Sequence, residues 1–183
     1  MEELYPDQEA VLQAERNLAA AKGEPYAVPV EFPVRWNVGA PCPHLVQSDT
    51  EAFLAFYLAD FDPNWDGSAG TDPEKLAVVE FERCICTKMG TPDEEVLEKH
   101  PLSGSGLVGY EAMVVKNSRW VKELDEINAV YAREKDVAWL GLNHYIFPFH
   151  DSTFECVARG FKVEVFRTSM PEVLAEISKR LVG

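Results

Sequence analysis

The stretch HYIFPFHDSTFEC, residues 144–156, decides the fold prediction because it indicates a tight antiparallel hairpin. Apolar residues alternate with polar or small ones on both sides of Asp151-Ser152, and these two residue types favour turns. With the turn at this dipeptide, Phe149 pairs with Phe154, and the pairing continues outward in the same register. Alternate side chains then form one apolar face that packs in a core. The stretch therefore predicts two long antiparallel strands.

The opposite face of this hairpin carries the candidate catalytic residues. In the same register His150 lies opposite Thr153, and Glu155 lies opposite Pro148. His150 and Glu155 are then diagonal neighbours, about 7–8 Å apart at the backbone, so that their side chains can meet. A histidine beside a carboxylate suits general acid–base catalysis. A surface hairpin with polar cross-strand pairs explains the same residues without any catalysis.

The hairpin geometry excludes two other sites. His144 and His150 are six residues apart on one strand, roughly 20 Å at the strand rise, so they cannot bind one metal ion. Cys156 points to the apolar face, away from His150, which excludes a cysteine–histidine dyad. The sequence does not place the two remaining histidines, His44 and His100, relative to the hairpin.

Helices are predicted at the start, in the middle and at the end of the chain. Apolar spacings indicate a helix over 7–22, a second one capped by Ser118, and a third after the capping box that starts at Ser169. Strands and helices do not alternate regularly, which disfavours a doubly wound parallel sheet. The prediction is an α+β fold, with an antiparallel β-sheet of about five to seven strands and the N-terminal, central and C-terminal helices packed against it. A β-bulge is expected at Gly160, where the apolar parity changes.

The chain is expected to form a single domain over residues 1–183, with residues 1–24 as an N-terminal helical appendage of the same domain. The apolar stripe of this first helix is thin and consists of Val11, Ala14, Leu18 and Ala21. Such a stripe suits packing on the rim of the domain, and it also suits self-association into a homo-oligomer.

Charge and composition bear on the partners. The chain has 31 acidic and 17 basic residues and a net charge of −14, so it repels nucleic acid and anionic membrane surfaces. An acidic surface favours solubility or, alternatively, a basic protein partner. The N-terminal segment has the pattern of neither a signal peptide nor a transit peptide, and no apolar run is long enough to span a membrane. We therefore expect a cytoplasmic protein with reduced cysteines.

One loop contains half of a calcium-binding motif. Asp62, Asn64 and Asp66, followed by Gly67, match the first half of an EF-hand loop, in which alternate oxygens bind a hard cation. The bidentate glutamate of the motif is missing, because Glu74 comes one residue late. The same residue types also build ordinary tight loops. These three oxygen-bearing residues are the candidate metal ligands, and no cofactor is expected.

Two further motifs have structural explanations. Cys84 and Cys86 share one face of a predicted strand, but zinc sites use two or more intervening residues, which favours a packing role. Gly104, Gly106 and Gly109 have the spacing of a dinucleotide-binding loop, without a clear strand before it or a helix after it. A flexible loop is favoured, and beside a pocket such a loop can serve as a lid.

Four segments carry a resemblance to an uncharacterised bacterial domain family. They are HPL at 100–102, GLVGYE at 106–111, VKNSRWVKELDEIN at 115–128 and HYIFPFHDSTFECVA at 144–158. The resemblance covers roughly residues 30–170. It implies no activity, cofactor or site residue.

The sequence favours a small acidic binding module, for a small molecule or a basic protein, without catalytic activity. The net charge and the small size support this expectation, and no nucleophile constellation is recognisable. The alternative is a small hydrolase or lyase in which His150 and Glu155 act as an acid–base pair, with or without a metal ion.

Overall fold

All strands in the computed structural model pair antiparallel; the structure describes residues 6–59, 75–129 and 141–182. In chain order the elements are α1 (Pro6–Lys22), β1 (Tyr26–Pro29), β2 (His44–Gln47), β3 (Ala52–Tyr57), β4 (Lys75–Glu82), β5 (Cys86–Gly90), a short 3-10 helix (Glu94–Lys99), β6 (Met113–Lys116), α2 (Arg119–Asn128), β7 (Asn143–Pro148), β8 (Thr153–Ala158), β9 (Gly160–Arg167) and α3 (Met170–Val182). One sheet has the strand order β1-β6-β7-β8-β5 and the other the order β2-β3-β4-β9. The predicted α+β fold with antiparallel strands is confirmed, but the strands are more numerous than predicted and form two sheets.

The chain passes from one sheet to the other at two places, between β4 and β5 and between β8 and β9. β4 is followed by β5 after a turn at Arg83, whose φ of 50° lies in the left-handed region. β8 leads into β9 through Arg159, whose N–H donates to the carbonyl of Glu82 at 2.8 Å. Because β4 pairs with β9 and β5 pairs with β8, the two bends lie side by side. At Gly160 the apolar side chains change from even-numbered to odd-numbered positions, and we expected a β-bulge there. The structure shows that the chain passes from one sheet to the other at this point.

The inward faces of both sheets share one aromatic core. Phe56 of the second sheet packs against Phe149, and Phe81 packs against Phe154; in each pair the ring centroids are 5.3 Å apart. All four rings are buried. Full burial of a phenylalanine side chain stabilises a fold by about 1.5–3 kcal/mol. The apolar face predicted for the hairpin is confirmed, since its members all lie in this core.

Helix α3 covers the outer face of the second sheet. It begins after the predicted capping box, in which the N–H of Ser169 donates to Oε2 of Glu172 at 3.1 Å. Val173 and Ile177 are buried in a cluster that includes Phe53 of β3. The predicted C-terminal helix and its core-facing stripe are therefore confirmed.

Helix α1 packs through a different face from the predicted one. The predicted apolar stripe faces solvent, and Val11 and Leu18 are each 57% exposed. The buried side chains are Ala19 and Arg16, and Nε of Arg16 donates to the carbonyl of Ala27 in β1 at 3.0 Å. A helix held by hydrogen bonds from an arginine whose stem is buried gives no signal in the apolar periodicity.

The outer face of the first sheet lies under the glycine-rich loop. Leu102 of this loop is buried in a cluster with Met113 and Ile146 of the sheet. This covered face also carries the polar side chains of the hairpin. Among the described residues, no helix has the length and hydropathy needed to cross a membrane.

Candidate functional site

The hairpin turn decides which side chains meet on the outer face of the first sheet. It consists of His150 and Asp151, one residue earlier than predicted, and a backbone hydrogen bond of 2.8 Å closes it. Every cross-strand partner is displaced by two residues as a result, while each side chain keeps its predicted face. His144 lies opposite Val157, so it becomes the diagonal neighbour of Glu155.

The carboxylate of Glu155 is the centre of the candidate site. Its Oε2 accepts a hydrogen bond of 2.7 Å from Nε2 of His144 on β7. Nε2 of His100, which follows the 3-10 helix, lies 4.0 Å from Oε1. Both imidazoles are only 7% exposed, and the carboxylate is 16% exposed. The hairpin and the residue that follows the 3-10 helix are distant in sequence, and together they bring two histidines to one shielded carboxylate.

A serine extends this arrangement into a chain of hydrogen bonds. Oγ of Ser118, which caps α2, lies 2.9 Å from Nδ1 of His144. An ionised carboxylate only accepts hydrogen bonds, so the hydrogen between His144 and Glu155 belongs to Nε2. When this ring is neutral, its Nδ1 accepts from the hydroxyl of Ser118. The same Oγ accepts the N–H of Val121 at 3.2 Å, which confirms the predicted cap.

Neighbouring groups keep Glu155 ionised in spite of its burial. Burial by itself raises the pKa of this carboxyl, but the interactions with His100 and His144 and the charge of Lys88 outweigh it and hold the pKa well below its usual range. Lys88 lies opposite Glu155 on the neighbouring strand. A carboxylate that stays ionised does not donate a proton; it orients an imidazole and stabilises the imidazolium form.

An indole covers His144, and an ammonium group lies on that indole. The ring of Trp120, in the first turn of α2, meets the imidazole edge to face, with the ring centroids 5.1 Å apart. Nζ of Lys88 lies 3.7 Å from the centroid of the Trp120 ring, which is a cation–π contact. Lys88 is exposed, whereas Trp120 and Ser118 are half-buried. Of the three linked side chains, Ser118 and Glu155 are partly accessible, and His144 is buried.

The glycine-rich loop and α1 together hold His100. Nδ1 of His100 accepts the N–H of Leu102 at 3.2 Å, so the ring hydrogen is on Nε2, the nitrogen nearer the carboxylate. Farther along the loop, the carbonyl of Gly106 accepts from the guanidinium of Arg16 at 3.3 Å. The N–H of Gly106 donates to Glu15 at 3.2 Å. Such anchoring differs from the flexible loop favoured by the sequence.

His150 contacts other carboxylates at the hairpin turn. Its Nε2 lies 3.3 Å from Oε1 of Glu94, and its Nδ1 lies 3.0 Å from Oδ1 of Asp151. Its side chain is 36% exposed, compared with 7% for His144. Among the hydrogen bonds and ion pairs of the described residues, none joins His150 to Glu155. The predicted contact is replaced by the one with His144, because the turn begins one residue earlier.

The predicted metal ligands Asp62, Asn64 and Asp66 lie outside the described residues. Within the ranges that the structure does describe, no three or more His, Cys, Asp or Glu side chains are grouped as a metal site requires.

The thiols near the first sheet are poorly suited to act as nucleophiles. Burial raises the pKa of Cys86 to about 11, and it raises the pKa of Cys156 well above its usual value. A hydrogen bond with Cys156 lowers the pKa of Cys84, but this side chain is only 4% exposed. Reactive cysteines combine thiolate character with access to the substrate. None of these three cysteines combines both.

The sequence singles out Glu155 as a candidate but does not indicate the partners that the fold gives it. Its patterns predict Ser118 only as a helix cap, and they raise His144 only as a possible metal ligand. A hairpin turn placed one residue earlier would have made His144 the diagonal neighbour of Glu155. His100 had no such signal, because a loop fixed by contacts with α1 brings it to the sheet.

Comparisons of the chain with protein-family models, with curated proteins and with solved structures found no match. The resemblance to an uncharacterised bacterial domain family therefore has no matching family model behind it. The feature of the molecule that points to a function is the chain of hydrogen bonds from Ser118 through His144 to Glu155.

Proposed function

We propose that the protein is a small cytoplasmic enzyme, a hydrolase or lyase, in which His144 transfers protons and Glu155 orients it. The observation that supports this proposal is the 2.7 Å hydrogen bond between Nε2 of His144 and Oε2 of Glu155 in a shielded site. When the free nitrogen of such a histidine takes a proton, the carboxylate stabilises the imidazolium that forms. Position and electrostatics thus favour His144 as the base.

The roles follow from which atoms are still available. Nε2 of His144 is engaged by Glu155, so proton transfer takes place at Nδ1, on the side of Ser118. His100 is a positioning residue, because its Nε2 lies beside the second carboxylate oxygen. Proton transfer by a positioned side chain contributes about 100- to 10,000-fold to a reaction rate.

The binding module favoured by the sequence is the second candidate, and the net charge of −14 supports it. In that case the chain through His144 serves only to attach α2 to the sheet, and a basic protein is the partner. The affinity for such a partner falls as the ionic strength rises.

A set of chromogenic esters, amides and phosphate esters tests the enzyme proposal. With His144→Gln we expect turnover of the accepted substrate class to fall about 100-fold or more, because proton transfer at Nδ1 is lost. With His150→Gln we expect little change. His150 is the matched control, because it belongs to the same hairpin and binds carboxylates other than Glu155. Equal losses in both variants, or no turnover by the unmodified protein, would contradict the proposal and favour the binding module.

A further inference from the structure

Ser118 has the partners of an activated nucleophile. Its Oγ lies 2.9 Å from Nδ1 of His144, and the other nitrogen of that ring lies 2.7 Å from Glu155. A hydroxyl is a weak nucleophile until an adjacent base takes its proton, and a third group usually orients that base. We infer that Ser118 attacks the carbonyl carbon of carboxylic esters in an acyl-transfer reaction. The inference rests on the proton-transfer role proposed above for His144.

The serine and the carboxylate bind to the opposite ring nitrogens of His144 from those that they bind in the catalytic histidine of serine proteases. There the serine bonds to Nε2 and the carboxylate to Nδ1. In this protein the serine bonds to Nδ1 and the carboxylate to Nε2. The chemistry needs one nitrogen that accepts the hydroxyl proton and one N–H held by a carboxylate, and a neutral imidazole provides both in either sense.

A sharp turn between β6 and α2 presents the serine. Asn117, the residue before Ser118, has a φ of 54°, in the left-handed region that asparagine adopts more readily than most residues other than glycine. Its side-chain amide donates to the carbonyl of Glu24 at 3.3 Å, which holds the turn. A sharp turn from a strand into a helix also exposes the nucleophile of α/β-hydrolases, although their fold is different.

The start of α2 supplies donors for a developing negative charge. The first N–H groups of a helix have no acceptor within the helix, and in α2 these belong to Arg119 and Trp120. The next N–H, that of Val121, donates to Oγ of Ser118. N–H groups next to a nucleophile stabilise the oxyanion of a tetrahedral intermediate. The N-terminal end of α2 is therefore suited to acyl transfer.

The proposed step balances with an ester and water. Oγ of Ser118 forms a bond to the carbonyl carbon, its proton passes to Nδ1 of His144, and the carbonyl oxygen becomes an oxyanion. When the oxyanion collapses, the bond to the alkoxide breaks, and the alkoxide leaves as an alcohol with the proton from Nδ1. Water then attacks the acyl-serine, again losing a proton to Nδ1. The acid leaves, and Ser118 regains its proton.

An alkyl fluorophosphonate is the probe for this nucleophile. In the reaction the serine oxygen bonds to phosphorus, fluoride leaves, and the hydroxyl proton passes to His144. After treatment of the full chain at about pH 8, peptide mass spectrometry should find one adduct, on Ser118. Ser169 is the internal control, because it also precedes a helix but bonds to the carboxylate of Glu172 instead of an imidazole. Ser169 should stay unmodified.

Two variants separate a chemical role from a structural one. Ser118→Asn keeps a good capping side chain without a nucleophilic hydroxyl, so it should fold, by circular dichroism, and form no adduct. His144→Gln should form the adduct about 100-fold or more slowly, because the base is missing. An adduct that persists in Ser118→Asn, or no adduct in the unmodified chain, overturns the inference.

The outcome also separates this inference from the proposed function. Suppose that esters are hydrolysed in a manner that depends on His144, while Ser118 is never modified. The nucleophile is then water, and the inference fails although the proposed function stands. If Ser118 is modified at the same rate with and without His144, the proton-transfer role fails, and both proposals are overturned.

Discussion

At the scale of the residue, Glu155 shows that neighbours decide the charge of a shielded carboxyl. Burial alone raises its pKa and favours the protonated form, yet two histidines and a lysine reverse the shift. A pKa that differs between the folded and the unfolded chain makes the stability depend on pH. The charge on Glu155 is therefore tied to the folding equilibrium as well as to the proposed chemistry.

The variant Glu155→Gln should be less stable at neutral than at acid pH relative to the unmodified protein. The folded-state pKa lies below the unfolded value of about 4.3, so the ionised group stabilises the fold above that pH. This stabilisation is lost as the pH falls through the folded-state pKa. We expect a deficit in the free energy of unfolding of about 1–3 kcal/mol at pH 7, which shrinks as the pH falls below about 4. Urea denaturation across the pH range measures it.

Glu98→Gln is the control for this measurement. Its side chain is 72% exposed, and within the described ranges its ion pair is with the neighbouring Lys99, so the change in stability should stay within about 0.5 kcal/mol. If the deficit of Glu155→Gln did not vary with pH, the pKa of Glu155 would not be depressed in the folded protein.

At the scale of the element, α1 and the glycine-rich loop act as one unit. Arg16 bonds to the carbonyls of Ala27 and Gly106, so one buried guanidinium joins the helix, the first strand and the loop. The loop begins at His100, which lies beside Glu155. We call the two hydrogen bonds of Arg16 the Arg16 clamp. A substitution that disrupts the Arg16 clamp should change both the stability of the protein and the position of His100.

The substitution Gly106→Ala tests the clamp. A Cβ atom at Gly106 would lie 2.6 Å from Cγ of Arg16 and 2.7 Å from the carbonyl oxygen of Ala27, and the φ of 82° disfavours a side chain. We expect a loss of about 2–4 kcal/mol from strain and displacement together, measured by urea denaturation. Gly104→Ala is the matched control, with a φ of 72° and nothing within 4 Å of the added atom. This control variant should lose about 1–2 kcal/mol of the free energy of unfolding, because a side chain is disfavoured at this positive φ but meets no neighbouring atom. Equal losses would mean that the close contact at Gly106 relaxes freely.

At the scale of the whole molecule, the two sheets depend on one core. Rings from both sheets alternate in it, and the bends at Arg83 and Arg159 carry the chain from one sheet to the other. Neither sheet can lose its inward face without exposing the face of its partner. Unfolding of the described strands should therefore be cooperative.

The variant Phe147→Ala should destabilise both sheets at once. Phe147 is fully buried and packs against Phe32 and Phe81, at centroid distances of 5.3 and 5.9 Å. We expect a loss of about 3–5 kcal/mol and faster amide hydrogen exchange in strands of both sheets. Val165→Ala, at a position that is 52% exposed, should change stability by no more than about 0.5 kcal/mol. Faster exchange confined to the sheet of Phe147 would contradict a shared core.

Local patterns predicted most of the elements, and tertiary contacts explain what they missed. The caps at Ser118 and Ser169 and the apolar face of the hairpin follow from rules that act within a few residues. The face of α1 does not, because a polar clamp from Arg16 holds it. The second sheet is not predicted, because the parity change at Gly160 is also typical of a β-bulge within one sheet.

The candidate site was predicted in part for the same reason. Alternation along the strand predicts that Glu155 points outward. The prediction that His150 is its partner depends on the position of the hairpin turn, and a shift of the turn by one residue makes His144 the partner instead. Ser118 and His100 reach the site from a helix and a loop. Contacts between such elements leave no periodic signal in the sequence.

Strand β8 connects the candidate site to the interior of the protein. Glu155 projects from one face of this strand, and its neighbours Phe154 and Cys156 project from the other into the core. A hydrogen bond weakens steeply when its geometry changes, so repacking the core by a methyl group is enough to shift the carboxylate relative to His144. Core substitutions on the opposite face of β8 can therefore change the geometry of the candidate site during evolution without any contact with a substrate.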